Sequence, residues 1–410
     1  MTEDIELVVV GAGAAGLMAA IWAGRSGRPA LVLDGARTLG AKILVSGGGR
    51  CNVTHDHVDE RAYAGSSPPA IRRVLRRFDV ERTVAFFADL GVQLKREDTG
   101  KLFPTTDRAR TVLDALLDAA RAAGAELRHP CRVLGIERLE GGGYRVATDR
   151  GELNARRVIL ATGGRSLPRS GSDGAGIEVA RALGHSVTPH LVPALVGLTL
   201  VDGSFVRGLS GLATDARLEV RTGSGRLLHA IAGPTLCTHF GLSGPAPMDI
   251  SRHWQLAMTE DSAATLVAAW LPDETAESLD AALQRLGGET PLRFLSRRLP
   301  GRLARALCDL AGVDANAVGH TLPRAQRRAL VRAVLETPLP VTGTRGWNNA
   351  EATAGGVPLS EVRLDTLESR VSPGLSLCGE LLDVDGRIGG YNFQWAWASG
   401  YVAGTAAAAP

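Results

Sequence analysis

The 410 residues predict an α/β fold: a parallel sheet assembled from both ends of the chain and interrupted by an insertion, β-rich at first and helical later. Three observations predict it. The chain opens on a strand, a glycine-rich turn, a helix and a second strand. A further buried strand at 158–161 ends in Thr162-Gly163-Gly164. The texture then changes near residue 191, and strand and glycine punctuation returns only near residue 341.

Taken in order, residues 6–10 read as a short buried strand, 14–25 as a helix and 28–34 as a second strand, which together make a βαβ unit. Arginine-rich helical stretches follow over about 70–90 and 109–123. Residues 126–139 and 143–158 read as antiparallel strands around the Gly141-Gly142-Gly143 turn. Beyond 191, residues 195–201 and 213–231 alternate as exposed-edge β structure. Residues 262–336 form amphipathic helical segments broken at Gly287-Gly288, Pro300-Gly301 and Pro323. A last helix is expected over about 394–408. The expected domains are 1–190 with 340–410 for the sheet, and 191–339 for the insertion, β-rich over about 191–255 and helical over about 262–337.

Length implies two or three domains, and 45% hydrophobic with 22% charged residues implies a well-cored globular chain. Disorder and fibrous structure are excluded. With 46 basic and 43 acidic residues, no overall field draws in nucleic acid or an anionic membrane. Only Lys42, Lys95 and Lys101 among the basic residues are lysines, which makes each of them conspicuous. Five scattered cysteines, with no CxxC and no Cys/His cluster, predict no disulfide framework, no metal site and a reducing, cytoplasmic setting. Residues 7–24 are uncharged and just long enough to span a bilayer. They follow Glu3, Asp4 and Glu6 and contain Gly11, Gly13 and Gly16, which suit a turn better than a helix centre, so a soluble chain is expected.

The sharpest motif is Gly11-Ala12-Gly13-Ala14-Ala15-Gly16, placed between strand and helix, with Asp34 18 residues beyond Gly16. Its glycines let a pyrophosphate approach the backbone and the helix pack on the strand. The acid accepts a ribose hydroxyl. GxGxxG alone does not separate FAD from NAD. Three further glycine clusters favour the longer FAD: Ser46-Gly47-Gly48-Gly49-Arg50-Cys51-Asn52, Ala161-Thr162-Gly163, and Gly379-Glu380 with Asp383 followed by Gly389-Gly390-Tyr391-Asn392 before a helix. A helix start facing a flavin would stabilise the negative charge that develops near N1 on reduction.

These segments, with Thr238-His239-Phe240-Gly241-Leu242-Ser243-Gly244-Pro245 and Thr353-Ala354-Gly355-Gly356-Val357, make the chain resemble the YhiN/BaiN flavoproteins, often labelled aminoacetone oxidase-like. The resemblance spans almost the whole chain. It implies a Rossmann-like FAD-binding domain interrupted by a β-barrel-like insertion carrying a helical subdomain. The residues assigned to the cofactor are those of the GxGxxG turn with Asp34, then Lys42, Ser46, Gly47, Gly48, Arg50, Cys51, Asn52, Val133, Ala161, Thr162, Gly163, Gly379, Glu380, Asp383, Gly390, Tyr391 and Asn392. Cys51 has no partner cysteine and reads as a small packing residue. His239 and Tyr391 are the catalytic candidates, each weighed against a bracing or cofactor-contact role. Asp34 stands where Glu is commoner, and Trp347-Asn348-Asn349 has no assigned role.

The functional reading is an FAD-dependent oxidoreductase moving a hydride between a small organic substrate and flavin N5. No second strand-GxGxxG-helix unit exists, so no dedicated NAD(P)H domain is expected. The electron partner is then the substrate, a visiting NAD(P)H, or O2. The first reading is an amine oxidase or dehydrogenase. The alternative is an NAD(P)H-using reductase of an enone or polycyclic compound. A third is an FAD-bearing RNA-modifying protein using Arg72, Arg73, Arg76 and Arg77, a stripe that reads more readily as a solvated helix face.

Overall fold

The computed structural model describes residues 3–408. The chain forms two compact units, Met1–Pro193 with Glu351–Pro410, and Ala194–Ala350.

The first unit is built on a seven-stranded sheet. Its strands β1 (Glu3–Val10), β2 (Leu31–Leu33), β3 (Glu126–Arg128), β4 (Val133–Arg138), β5 (Tyr144–Thr148) and β6 (Gly151–Leu160) lie in the order β3-β2-β1-β6-β5-β4. Val8 stands opposite Leu31 on one side and Val158 on the other, all in parallel pairs. Both faces of this centre are covered, which is why β1 and β2 are runs of Val and Leu rather than alternating patterns. The long β6 pairs antiparallel with β5 over its first half and parallel with Leu375–Leu377 over its last three residues. The two ends of the chain therefore share one sheet.

Helix α1 (Ala14–Arg25) follows β1, and α2 (Ala41–Val45) follows β2. The expected helix at 70–90 is two helices, α3 (Pro68–Leu75) and α4 (Val80–Asp89), because Asp79 caps the second through the Arg82 N–H. Helix α5 (Ala109–Ala122) matches expectation. The expected strand at 126–139 is broken by Pro130, which has no N–H to give a ladder. Its first part joins the parallel sheet beside β2, and only β4 and β5 form the hairpin.

The second unit carries its own seven-stranded sheet and core. Strands β7 (Leu198–Leu200), β8 (Ala213–Arg221), β9 (Leu227–Thr238), β10 (Gly241–Ser243), β11 (Thr265–Ala269), β12 (Thr337–Leu339) and β13 (Val341–Thr344) lie in the order β12-β11-β8-β9-β10-β7-β13. The end strands β12 and β13 do not pair among the described residues. This corrects the barrel-like expectation to an open sheet. Helix α6 (Pro245–Glu260) lies inside the stretch expected to be β-rich, and β11 inside the stretch expected to be helical. Leu266, Val267 and Ala268 form too short an apolar run for periodicity to separate strand from helix. Among the described residues no helix is long and apolar enough to cross a membrane.

Candidate active site

The site begins where β1 ends. The Gly11 N–H donates to the Leu33 carbonyl at 2.8 Å, and Gly11 has φ +104. A Cβ there would lie 2.5 Å from the Ala161 carbonyl oxygen, so only glycine lets the turn sit against the end of β6. A Cβ on Gly16 would strike the Gly11 carbonyl at 1.8 Å, which explains the third glycine as a packing requirement. Gly13 caps α1 with no side-chain hydrogen bond, and nothing lies within 4 Å of its missing Cβ. The first-turn N–H groups therefore face open space, as an anion site requires. Asp34 accepts from the Ala12 N–H at 2.6 Å and the Ala36 N–H at 2.7 Å, which orients its carboxylate and leaves lone pairs for a ribose hydroxyl. The Cys131 N–H bonds the Asp34 carbonyl at 2.7 Å and brings the segment leading to Val133 to the same edge.

The last helix, Tyr391–Ala407, runs parallel to α1. Cβ atoms on Gly400 and Gly404 would lie 2.4 and 2.2 Å from the carbonyls of Ala15 and Ala19, so the helices touch backbone to backbone. This register staggers their starts. Nine residues precede Gly400 in the last helix and one precedes Ala15 in α1, an offset of eight residues or about 12 Å. The last helix also begins on an uncapped glycine, Gly390, with φ +97 and a missing Cβ 2.6 Å from the Thr54 carbonyl carbon. Two helix N-termini without side-chain caps, offset by about 12 Å along the helix axes, suit a dinucleotide with its pyrophosphate on α1 and its ring toward the last helix. Along this path Asn52 Oδ1 and Ser172 Oγ are buried without a hydrogen-bond partner among the described residues. These residues fit FAD.

A polar cluster closes the same edge of the sheet. Lys42 Nζ donates to Glu380 Oε2 at 2.5 Å and to Ser166 Oγ at 2.6 Å. Glu380 Oε1 accepts from Ser166 Oγ at 2.8 Å and from the Thr353 N–H at 2.7 Å. Thr353 Oγ1 accepts from the N–H groups of Arg165 and Ser166 at 2.7 and 3.1 Å. Burial pushes the Glu380 carboxyl up. The Lys42 charge and the hydrogen bonds from Lys42, Ser166 and Thr353 outweigh it and hold the group below its ordinary value. Glu351, whose carbonyl accepts from Ser166 Oγ at 3.3 Å, behaves oppositely. Burial raises its carboxyl, and the charges of Lys42 and Lys101 only partly oppose that.

Sequence reasoning assigned Lys42 and Glu380 to the cofactor and quoted Thr353 without giving it a role; the structure joins these three with Ser166, which it did not name, and sets the Glu351 carbonyl beside them. Thr353 and Ser166 each flank a glycine motif, a weak signal that could have found them.

The remaining assigned residues sort by their contacts. The Asn392 side chain both donates to and accepts from the Gly386 backbone, at 3.0 and 2.9 Å, and pins the loop before the last helix. Both backbone polar groups of Gly379 are engaged, its N–H by Ser399 Oγ at 2.9 Å and its carbonyl by Trp395 Nε1 at 3.0 Å. The Asp383 carbonyl accepts from the Ser66 N–H at 2.8 Å. Arg50 ion-pairs with Glu97 at 2.6 Å and lies over the Phe103 ring. Ser46 Oγ turns back to the Ile43 carbonyl at 2.8 Å. Cys51 is fully buried, and burial pushes its thiol up to about 12, which makes it an inert packing group. Tyr391 stacks on His55, with ring centroids 5.0 Å apart. His239 belongs to the second unit. It lies exposed in the turn between β9 and β10, its carbonyl accepting from Arg207 Nε at 2.7 Å and its ring edge-on to Phe240. In the arginine stripe, Arg72 pairs with Glu60 and Arg73 with Asp365, so half its charge is already answered.

The model of the HI0933-like protein Rossmann domain family matches residues 5–406. The chain belongs to this HI0933-like family. It is 38% identical to the 3-dehydro-bile acid delta(4,6)-reductase of Clostridium scindens over 98% of both chains. It is also 32% identical to the ribosomal RNA dihydrouridine synthase of Escherichia coli over 97% of both. The solved structure of E. coli quinol fumarate reductase FrdA shares the fold at a TM-score of 0.53 and 17% identity, covering 100% of this chain and 70% of that one. The resemblance read from the glycine motifs is thus borne out, and with it the Rossmann-like fold. The HI0933-like chain is an FAD-dependent oxidoreductase and a flavoprotein.

Proposed function

We propose that the protein is a reductase that adds two hydrogens across a carbon–carbon double bond conjugated to a carbonyl in a small molecule. Reduced nicotinamide would visit the cofactor as electron source. One observation carries this reading. Lys42 is bonded to Ser166, whose hydroxyl also reaches the Glu351 carbonyl, Lys101 lies beside Gly389 before the last helix, and the charges of both lysines act on the Glu351 carboxyl. Glu380 offsets Lys42, so Lys101 leaves a net positive charge there while Glu351 is protonated, which would stabilise the negative charge that grows on a conjugated carbonyl oxygen and disfavour an ammonium substrate. The relatives' names support the same operation: a delta(4,6)-reductase of a 3-dehydro compound and a dihydrouridine synthase both saturate a bond conjugated to a carbonyl. Weight moves accordingly from amine oxidation to the reductase alternative.

The α1 turn, Asp34 and the start of the last helix would hold FAD, which when bound would supply the hydride chemistry. The chain's own residues do the rest. Lys42, fixed by Glu380 and Ser166, holds positive charge at the site. The Thr353 and Ser166 contacts keep residues 163–166 closed over that edge. RNA is the second substrate reading, favoured by the synthase relative and disfavoured by the neutralised half of the arginine stripe. A cytoplasmic location goes with five buried, unpaired cysteines.

Anaerobic spectrophotometry of the holoprotein tests the electron source. NADH or NADPH should bleach the flavin within seconds while aminoacetone leaves it oxidised. Bleaching by aminoacetone alone would return the amine reading.

A further inference from the structure

We propose that Glu351 is the acid that protonates the substrate's α-carbon, a role that rests on the reductase reading above. Its backbone is fixed by the polar cluster: its carbonyl is held by Ser166, and Thr353, two residues on, is tied to Glu380, Arg165 and Ser166. Its carboxyl group makes no hydrogen bond or close ion pair among the described residues. The side chain is reached by solvent yet crowded by protein atoms, so it can hold a proton in the site and reload from water.

Three of the neighbouring titratable groups, Lys42, Glu380 and His55, are already engaged. Lys42, from α2, is bonded to Glu380 and Ser166, and Glu380 is kept ionised by that bond. Lys101 begins the strand Lys101–Pro104, and its Cε lies 3.6 Å from where a Cβ on Gly389 would be, which places it beside the start of the last helix. His55, stacked on Tyr391, has both ring nitrogens taken, by the Thr99 carbonyl at 3.0 Å and the His57 N–H at 3.2 Å. Burial raises the Glu351 carboxyl toward the range where an acid is useful, with Lys42 and Lys101 restraining the rise.

The step balances. A hydride, carrying two electrons, forms the C–H bond at the β-carbon, and the π pair moves to the α-carbon through the enolate. The Glu351 O–H bond breaks as the α C–H bond forms. The carboxylate left behind takes a proton from water, and reduced nicotinamide replaces the two electrons.

The test is Glu351→Gln in the full chain loaded with FAD. NADPH should bleach the variant's flavin within twofold of the wild-type rate. Reoxidation of the reduced flavin by 4-androstene-3,17-dione, with a uridine-containing ribosomal RNA as a second arm, should slow by about 100-fold or more. The wild-type reoxidation rate should fall as pH rises through the Glu351 pKa, while the variant stays slow and flat. In the apoprotein, urea unfolding gives a readout independent of turnover. A raised folded-state pKa means the carboxyl's contribution to stability is present at acid pH and lost as pH rises. E351Q should therefore be stabilised relative to wild type at pH 8 and not at pH 4. If E351Q does not fold, Lys101→Met serves instead: removing a cation raises Glu351 and should extend the active limb to higher pH. Fast reoxidation in E351Q, or an unmoved limb in K101M, overturns the assignment alone. Wild-type reduced flavin that neither probe reoxidises overturns the reductase reading and this inference with it.

Discussion

Asp34 and Glu380 show how single carboxylates organise the site. Asp34 spends part of its acceptor capacity on the Ala12 and Ala36 N–H groups, so it is oriented before a ribose arrives. Asp34→Asn turns one acceptor into a donor facing an N–H. FAD release, followed by flavin fluorescence, should reveal affinity about tenfold weaker, matching the worth of a charge-assisted hydrogen bond. All five cysteines are buried, and burial lifts the thiols of Cys51 and Cys378 to about 12. No thiol should react with a bulky disulfide reagent at pH 8 until the chain is denatured; a rapidly labelled thiol in the native protein would show the burial to be wrong. Asp34 was legible because motif spacing is local. Lys42 was legible because lysine is rare in this chain. Ser166 and Glu351 were not, because their contacts cross separations of 124 to 214 residues that no short motif records.

At the scale of elements, the pairing of α1 with the last helix sets the spacing of the two helix starts proposed to anchor the cofactor. Gly400 and Gly404 are a four-residue repeat of small side chains, and the contact they permit fixes the stagger. Gly400→Val should push the helices apart and cost about 1–3 kcal/mol, seen as a lowered urea midpoint, with loss of bound FAD. Gln394 locks the same helix in place by accepting from Thr54 at 2.7 Å and Thr83 at 3.0 Å and donating to the Phe78 carbonyl at 2.8 Å, all buried. Gln394→Leu leaves the Thr54 hydroxyl and the Phe78 carbonyl unsatisfied, while Thr83 keeps its bond to the Asp79 carbonyl at 2.9 Å, and should destabilise by a further few kcal/mol, about 1–3 for each group. Helices α1 and α5 were readable from apolar periodicity and glycine punctuation. The split of 70–90 was hidden because Asp79 acts as a cap only in three dimensions. The strand at Thr265–Ala269 was hidden because five apolar residues fit either period.

At the scale of the whole molecule, one sheet draws its strands from both ends of the chain, and a second unit with its own core occupies residues 194–350 between them. That organisation was visible as glycine clusters at the two ends and a change of texture between. That the second sheet stays open was not visible, since strand pairing at its edges depends on register rather than composition. The same family that names amine oxidation in its labels also contains a named reductase. The proposed reductase reading rests on the charges of Lys42 and Lys101 and on a Glu351 carboxyl that burial raises, an environment suited to an electron-poor double bond. The most direct test is anaerobic turnover in D2O with NADPH and 4-androstene-3,17-dione or ribosomal RNA, read by mass spectrometry. The prediction is a saturated product carrying one solvent deuterium at the α-carbon and one unlabelled hydrogen at the β-carbon; recovered, unsaturated starting material beside a flavin that aminoacetone readily bleaches would contradict it.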